Sequence, residues 1–275
     1  INVMRGAEAI SEYVALPPQE AFNIEYWLLE EAKLKRQPPE KALSRRVAFI
    51  TGGAGGIGKA IAERLAAEGV CDVKDEAAVR AAYREACLAF GGVDLIVHSA
   101  GLAISKPVDR TSEEDWDLLY DVLVKGQFLV ARTGVEIMKK QGLSGDIVNI
   151  VSKNALVAGP NNAGYGSAKA AQLHMSRLLA AELAPHHIRV NVVNPDAVIT
   201  GSKIWEGAWA EKRAAVYGVS VEDLPKHYAQ RTLLKETILP EDIANGVFAV
   251  VGGLLPKSTG NVINVDGGVA PAFVR

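Results

Sequence analysis

The stretch that most restricts the fold is residues 46–69. Arg46-Val47-Ala48-Phe49-Ile50 reads as a buried strand. Thr51-Gly52-Gly53-Ala54-Gly55-Gly56-Ile57-Gly58 follows, and Lys59 to Gly69 then reads as a helix closed by glycine. Strand, glycine turn and helix in this order belong to a parallel α/β sheet and make a cradle for a phosphate group. Glycines let the backbone approach a pyrophosphate. The helix start adds free N–H groups and the positive end of its dipole. The glycines fit G-x-G-x-x-G from Gly53, T-G-x-x-G-x-x-G, and T-G-x-x-x-G-x-G.

Further strands are expected at Val93–Val97, Asp146–Val151 and Ile188–Val193. Helices are expected at Glu76–Phe90, from near Asp115, at Tyr165–Leu183 and from Pro240 to Val251. A chain of 275 residues, 49% hydrophobic and 23% charged, suits one soluble α/β domain with a modest appendage. The net charge of -2 points to neither nucleic acid nor a membrane surface. No apolar run approaches the roughly 18 residues of a membrane span. Cys71 and Cys87 lack metal-ligand spacing, so no metal is expected, and reduced thiols in a cytoplasmic protein are the simplest reading.

Chemistry concentrates between Ser152 and Lys169. Tyr165 and Lys169 are four apart and share a helix face. Ser152 ends the 146–151 strand, and Gly159-Pro160-Asn161-Asn162 turns the chain back toward the tyrosine. A phenol is a poor base near neutrality, since its pKa is about 10. Lowering it by about three units needs roughly 4 kcal/mol, from Lys169 and any cationic cofactor. Ser152 can hold a substrate oxygen while Tyr165 moves the proton. Taken alone, Tyr165 and Lys169 also fit an ordinary helical pair. The serine thirteen residues upstream is what favours chemistry.

Ser152, Tyr165 and Lys169 at this spacing resemble the catalytic signature of the short-chain dehydrogenase/reductase family. The resemblance covers residues 46–275. It implies a Rossmann-type doubly wound parallel sheet with helices on both faces, here preceded by an N-terminal helical segment. It favours the third glycine spacing. Cofactor contacts are then expected at Gly52, Gly56, Ile57, Gly58, Asp72, Val73, Ser99, Ala100, Gly101, Tyr165, Lys169, Pro195, Val198 and Thr200. The implied cofactor is NAD, with NADP also open. The family's lid corresponds to the aromatic-rich stretch Gly201–Lys235, where Trp205 is a candidate substrate contact. Lys153 and Asn154, beside the serine, are candidates for touching a polar or anionic substrate. The family's packing implies a homo-oligomer, dimer or tetramer, with the Tyr165 helix at an interface.

Four features depart from the family pattern. His98-Ser99 stands where Asn-Asn is usual, and Asp196 where glycine follows proline. Leu123 stands where an asparagine supports a proton path to the lysine, so either the relay is built differently, or catalysis is weaker, or Lys125 or another polar group substitutes. Between Val70 and Cys71, on the order of 30 residues that should hold a second strand, a helix and a third strand are missing from the pattern. The second-strand acid that chooses NAD over NADP is lost with them.

Residues 1–45 read as an appendage with helices at Met4–Leu16 and Glu20–Arg36. The Ile1 start suggests a chain begun inside a longer one. Ser-Lys-Asn-Ala-Leu-Val-Ala-Gly, Asn-Pro-Asp-Ala-Val, Arg-Thr-Leu-Leu-Lys and the Glu25-Tyr26-Trp27 linker resemble the dehydrogenase half of bifunctional rhamnulose-1-phosphate aldolase/alcohol dehydrogenases. That implies oxidation of lactaldehyde to lactate in rhamnose catabolism. Two other readings stay open. One is a catalytically weak or dead NAD-binding module, the other a sugar-nucleotide epimerase or dehydratase.

Overall fold

The computed structural model describes residue 19 and residues 41–65, 72–201 and 208–273. The two appendage helices, the 70–71 junction and Trp205 lie outside the described residues. In chain order the elements are β1 (Ala48–Thr51), α1 (Gly56–Leu65), α2 (Glu76–Phe90), β2 (Leu95–His98) and α3 (Glu113–Tyr120). A π-helical turn (Asp121–Lys125) leads into α4 (Gly126–Gln141). Then come β3 (Gly145–Ile150), α5 (Ala163–Leu183), β4 (Ile188–Pro195), α6 (Ala208–Tyr217), α7 (Leu224–Ala229), α8 (Pro240–Val251) and β5 (Val262–Val265).

Local chemistry sets the helix ends. Asp75 accepts the Ala77 N–H to start α2, and Gly91, at φ 83°, ends it by donating to the Cys87 carbonyl. Ser112 and Asp115 form a reciprocal capping box at α3.

The five strands are all parallel in the order β1-β2-β3-β4-β5. Phe49, Ile96, Ile147 and Val190 stand in one cross-strand row. Side chains alternate between the faces. Ile96, Ile147 and Val190 meet Val79, Tyr83, Val130 and Ile137 of α2 and α4, together with Leu183 of α5. Leu95, Val97, Val148, Ile150 and Val193 meet Ile61 of α1 and Ile243 and Val247 of α8. The sheet is thus covered on both faces, as a doubly wound sheet requires. Among the described residues no strand pairs with the outer edge of β1.

The N-terminal end of the sheet is clasped by charge. Asp146, at the start of β3, pairs with Arg46 at 2.8 Å and with Arg189 at 2.7 Å. Arg46 also donates to the Asp94 carbonyl at 2.8 Å, and the Asp94 carboxylate accepts the Val47 N–H at 2.9 Å. Arg189 reaches the carbonyls of Val250 and Leu255. One buried carboxylate therefore joins the segment before β1, β3, β4 and the end of α8. The opposite, C-terminal end is left for the loops that carry the site.

Replacing Asp146 by alanine strands two guanidiniums that keep some solvent. A loss of about 2–3 kcal/mol is expected, below the 3–5 of a fully buried pair. The urea midpoint reads it; a change under about 0.5 kcal/mol, the scale of an ordinary surface substitution, would refute the clasp.

Candidate active site

The turn between β1 and α1 is held by close backbone packing. Gly52 has φ +71°, and a Cβ there would lie 2.9 Å from the Ala100 nitrogen. A Cβ on Gly58 would lie 2.2 Å from the Gly52 carbonyl oxygen. No larger residue fits either place without opening the turn. Thr51 ties this turn to the end of β2. Its hydroxyl oxygen accepts the N–H groups of Ser99 and Ala100, each at 3.1 Å. Its own proton is then free to go to Nδ1 of His98, 3.1 Å away. That places the imidazole proton on Nε2, which is buried and unpartnered among the described residues. Burial pushes the His98 pKa down to about 3, helped by the charge of Lys169. His98 is a neutral, structural link at neutral pH.

Ser152 follows β3 and is positioned across the sheet. Its N–H donates to Oδ1 of Asn194 at 2.9 Å, and Asn194 donates on to Asn264 of β5 at 3.3 Å. The serine hydroxyl accepts the Asn154 N–H at 3.2 Å and is hydrogen-bonded to the Tyr165 phenol. Tyr165 and Lys169 are on α5. The ammonium lies 5.8 Å from the Tyr165 ring centroid and donates to the Ile150 carbonyl at 3.3 Å.

The electrostatics of this trio differ from the sequence expectation. Burial pushes the phenol up to about 12; the Ser152 hydrogen bond opposes this, and the charge of Asp196 adds to it. Burial also lowers Lys169 to about 7. Desolvation penalises phenolate and ammonium alike, so in the chain by itself it outweighs their mutual help.

A cavity of about 480 Å³ opens at the C-terminal end of the sheet. The cradle residues Gly52, Gly56, Ile57 and Gly58 line one side. Ser152, Lys153, Asn154, Tyr165 and Lys169 line the floor, with Ser99, Gly101, Pro195 and Val198 between them. Asp72, Val73, Ala100 and Thr200 do not line it. The Asp72 carboxylate caps the Lys74 N–H at 3.0 Å, and Val73 is packed in the core against Gly126. Ala100 is fixed from behind by Thr51, and Thr200 is exposed. Lys153 is 8% exposed, and its ammonium forms an ion pair with Asp196 at 2.7 Å. It reaches the cavity with its charge already met. The two departures Lys153 and Asp196 thus explain each other.

Leu123 lies in the π-helical turn that precedes α4. The side chain of Leu123 is fully buried, and its carbonyl accepts Nε2 of Gln172 at 2.7 Å. Lys125 is exposed and pairs with Asp121 at 3.3 Å, so it does not replace the asparagine. Sequence reasoning missed Gln172, because a glutamine on an apolar helix gives no signal until its partner carbonyl is placed. It also missed Arg213 and Arg231, which line the far side of the cavity with Tyr217 and Tyr228 of the aromatic-rich stretch, from α6, α7 and the turn after α7.

The residues present fit a dinucleotide. Gly52, Gly55 and Gly56 bring bare backbone to the cavity wall, and the start of α1 faces the same cavity. Among the described residues no cluster of metal ligands occurs, and no helix is long and apolar enough to cross a membrane.

Comparison with known proteins agrees with this geometry. Residues 70–270 match the family described as Enoyl-(Acyl carrier protein) reductase, and residues 1–34 match Aldolase class II, second domain. The chain is 43% identical to the Uncharacterized oxidoreductase YuxG of Bacillus subtilis, across its own full length but only 45% of that protein. It is 31% identical to the L-2,3-butanediol dehydrogenase of Corynebacterium glutamicum, covering 82% of this chain and 98% of that one. The structure of Sorbitol-6-Phosphate 2-dehydrogenase SrlD from Erwinia amylovora superposes with a TM-score of 0.74 at 26% identity, over 82% and 99% of the two chains. The chain belongs to the short-chain dehydrogenase/reductase family of oxidoreductases, whose fold implies a nicotinamide cofactor.

Gly58→Ala is expected to weaken dinucleotide binding about ten- to hundredfold, the equivalent of 1–3 kcal/mol of overpacking. Calorimetric titration checks this; unchanged affinity would refute the cradle. His98 gives a second test. Between pH 6.5 and about 3 the unfolded chain binds a proton there that the folded chain does not. Stability should therefore fall with pH in that window by up to about 1.4 kcal/mol per unit from this group. The slope should be shallower in His98→Asn when urea midpoints are followed against pH.

Proposed function

We propose that this chain oxidises a small hydroxy or aldehyde substrate with NAD, and that the substrate is lactaldehyde in rhamnose catabolism. The observation that carries the oxidoreductase reading is the convergence of Ser152, Tyr165 and Lys169 on one cavity with the glycine cradle. The lactaldehyde reading rests on the motifs shared with aldolase/dehydrogenase fusions. The aldolase-type match over residues 1–34 supports it. In this reading the chain is the dehydrogenase part of a longer cytoplasmic protein. The exposed apolar side chains Phe128 of α4 and Leu178 of α5 would be covered in a homo-oligomer.

Ser152 holds the hydroxyl oxygen of an alcohol, or of the hydrate formed when water adds to the aldehyde, its own backbone fixed by Asn194. Tyr165 takes the proton from that oxygen, and Lys169, reaching the same floor, receives or shields the charge. When bound, a nicotinamide dinucleotide supplies the hydride acceptor and, in its oxidised form, a cationic ring. The phenol pushed up to about 12 shows how much opposing charge the site needs before Tyr165 acts as a base near neutrality.

The same proposal covers the junction near residue 70. The alignment with the Bacillus relative runs over 307 positions, 32 more than the chain has residues. The open edge of β1 is the place where two further strands of a doubly wound sheet would pair. Sequencing the encoding gene between codons 69 and 72 checks this: about 30 further codons are expected there. An uninterrupted junction would overturn it.

One observation favours a second reading, a cofactor-binding module with little turnover: the buried side chain of Leu123 stands where an asparagine would support a proton path to Lys169. Kinetics separate the two. Tyr165→Phe should reduce NADH formation from lactaldehyde about 10²–10⁴-fold. In the wild type kcat/KM should rise as pH increases above neutrality, because the base must lose its proton. Dinucleotide binding without turnover on lactaldehyde and small polyols would select the module.

A further inference from the structure

The far side of the cavity is built for charge. Arg213 lies four residues before Tyr217 on α6, so the two share a helix face, and its guanidinium carbon is 5.9 Å from the Tyr217 ring. Arg231 follows Tyr228 by three residues, in a turn closed by its own N–H to the Tyr228 carbonyl. Its guanidinium lies 5.0 Å from the Tyr228 ring and 6.0 Å from the Tyr217 ring. The Tyr228 phenol donates to the Tyr217 phenol at 3.4 Å, and an Arg231 nitrogen lies 3.5 Å from the same oxygen. Two aromatic rings thus hold two guanidiniums at the cavity. A packed apolar base, including Ala210, Ala214 and Leu224, anchors the group.

The charge balance of the cavity is one-sided. Among the described residues its lining holds Lys153, Lys169, Arg213 and Arg231 against one carboxylate, Asp196. That carboxylate is committed to Lys153. Among the described residues no carboxylate forms an ion pair with Arg231. The positive field is visible at Tyr217. Burial would raise its phenol, yet the Tyr228 hydrogen bond and the two arginine charges outweigh burial and lower it. The glycine cradle serves a pyrophosphate from the other side, at the start of α1. A neutral polyol would have no use for a pair of forked cations, whereas a compact oxyanion matches their geometry.

We propose that Arg213 and Arg231 form an oxyanion-binding end of the substrate site, so that the preferred substrate carries a phosphate or carboxylate remote from the carbon that is oxidised. This rests on the dehydrogenase reading above and narrows it, since it ranks a charged substrate over uncharged lactaldehyde. The Ser152–Tyr165 end handles the reacting oxygen. The arginine end fixes the length and charge of what lies beyond it.

The test uses three matched three-carbon probes, glycerol, glycerol 3-phosphate and glycerate, with the protein saturated by dinucleotide. Binding is read by calorimetry and turnover by NADH formation. One charged hydrogen bond contributes about 1.5–3 kcal/mol, so at least one anion should bind roughly ten- to hundredfold tighter than glycerol. Phosphate against glycerate tells which oxyanion is read. Arg213→Gln and Arg231→Gln should remove that preference and raise KM for the anion. Both should leave glycerol and dinucleotide affinity unchanged. Arg231→Lys, which keeps the charge and loses the fork, should recover part of the loss. Equal affinity for all three probes overturns the proposal, as does a loss confined to dinucleotide binding, which would assign the arginines to the cofactor. Tyr165→Phe should abolish turnover and keep anion binding. Anion binding with no turnover by the wild type would sink the dehydrogenase reading and leave the oxyanion site standing.

Discussion

Parallel strand pairing is the constraint on which the rest depends. Every strand from β1 to β5 runs the same way, so every strand ends at the same edge. Each pairing buries backbone that no loop could satisfy, and each return must cross a face of the sheet in a helix. Thr51, His98, Ser152 and the residues after Pro195 are brought together because they end four neighbouring strands, not because they are near in sequence. The Asp146 clasp at the other end closes the sheet with charge and keeps that end free of chemistry.

At the functional end, positioning and reactivity pull against each other. Asn194 and Asn264 fix Ser152 from behind; Lys169 is buried and Tyr165 half-buried. The same burial raises the phenol and lowers the ammonium. A protein that excludes water to orient a base also makes the charged form of that base costly. Lys153 pairs with Asp196, the lining carboxylate whose charge adds to the rise of the phenol.

The segment after β4 does a different kind of work. α6 and α7 have a small core of their own, resting on Ala197 and Ile199 of the loop that borders the cavity. This lets one surface unit carry both tyrosines and both arginines as a group. A unit with its own core can change its side chains without disturbing the sheet, which suits a part of the molecule that sets specificity.

Patterns carried by neighbouring residues were legible in the sequence. The strand and glycine turn at 48–58, the buried runs of β2 to β4, the capping at Ser112 and the Ser152–Tyr165–Lys169 spacing depend on local periodicity, and the fold reproduces them. Gly52 and Gly58 are packed against neighbouring backbone in the turn after β1. What only the tertiary structure decided are pairings across distance. Lys153 looked like a cation for substrate until Asp196, forty-three residues on, took its charge. Leu123 looked like a gap to be filled by Lys125, but Gln172 meets its carbonyl from another helix. His98 became a neutral link once Thr51 stood beside it. Arg213 and Arg231 gained meaning only when two short helices placed them across the cavity from Ser152. Periodicity records which face of an element is buried; which polar groups meet there, and so which charges survive, depends on how the elements pack.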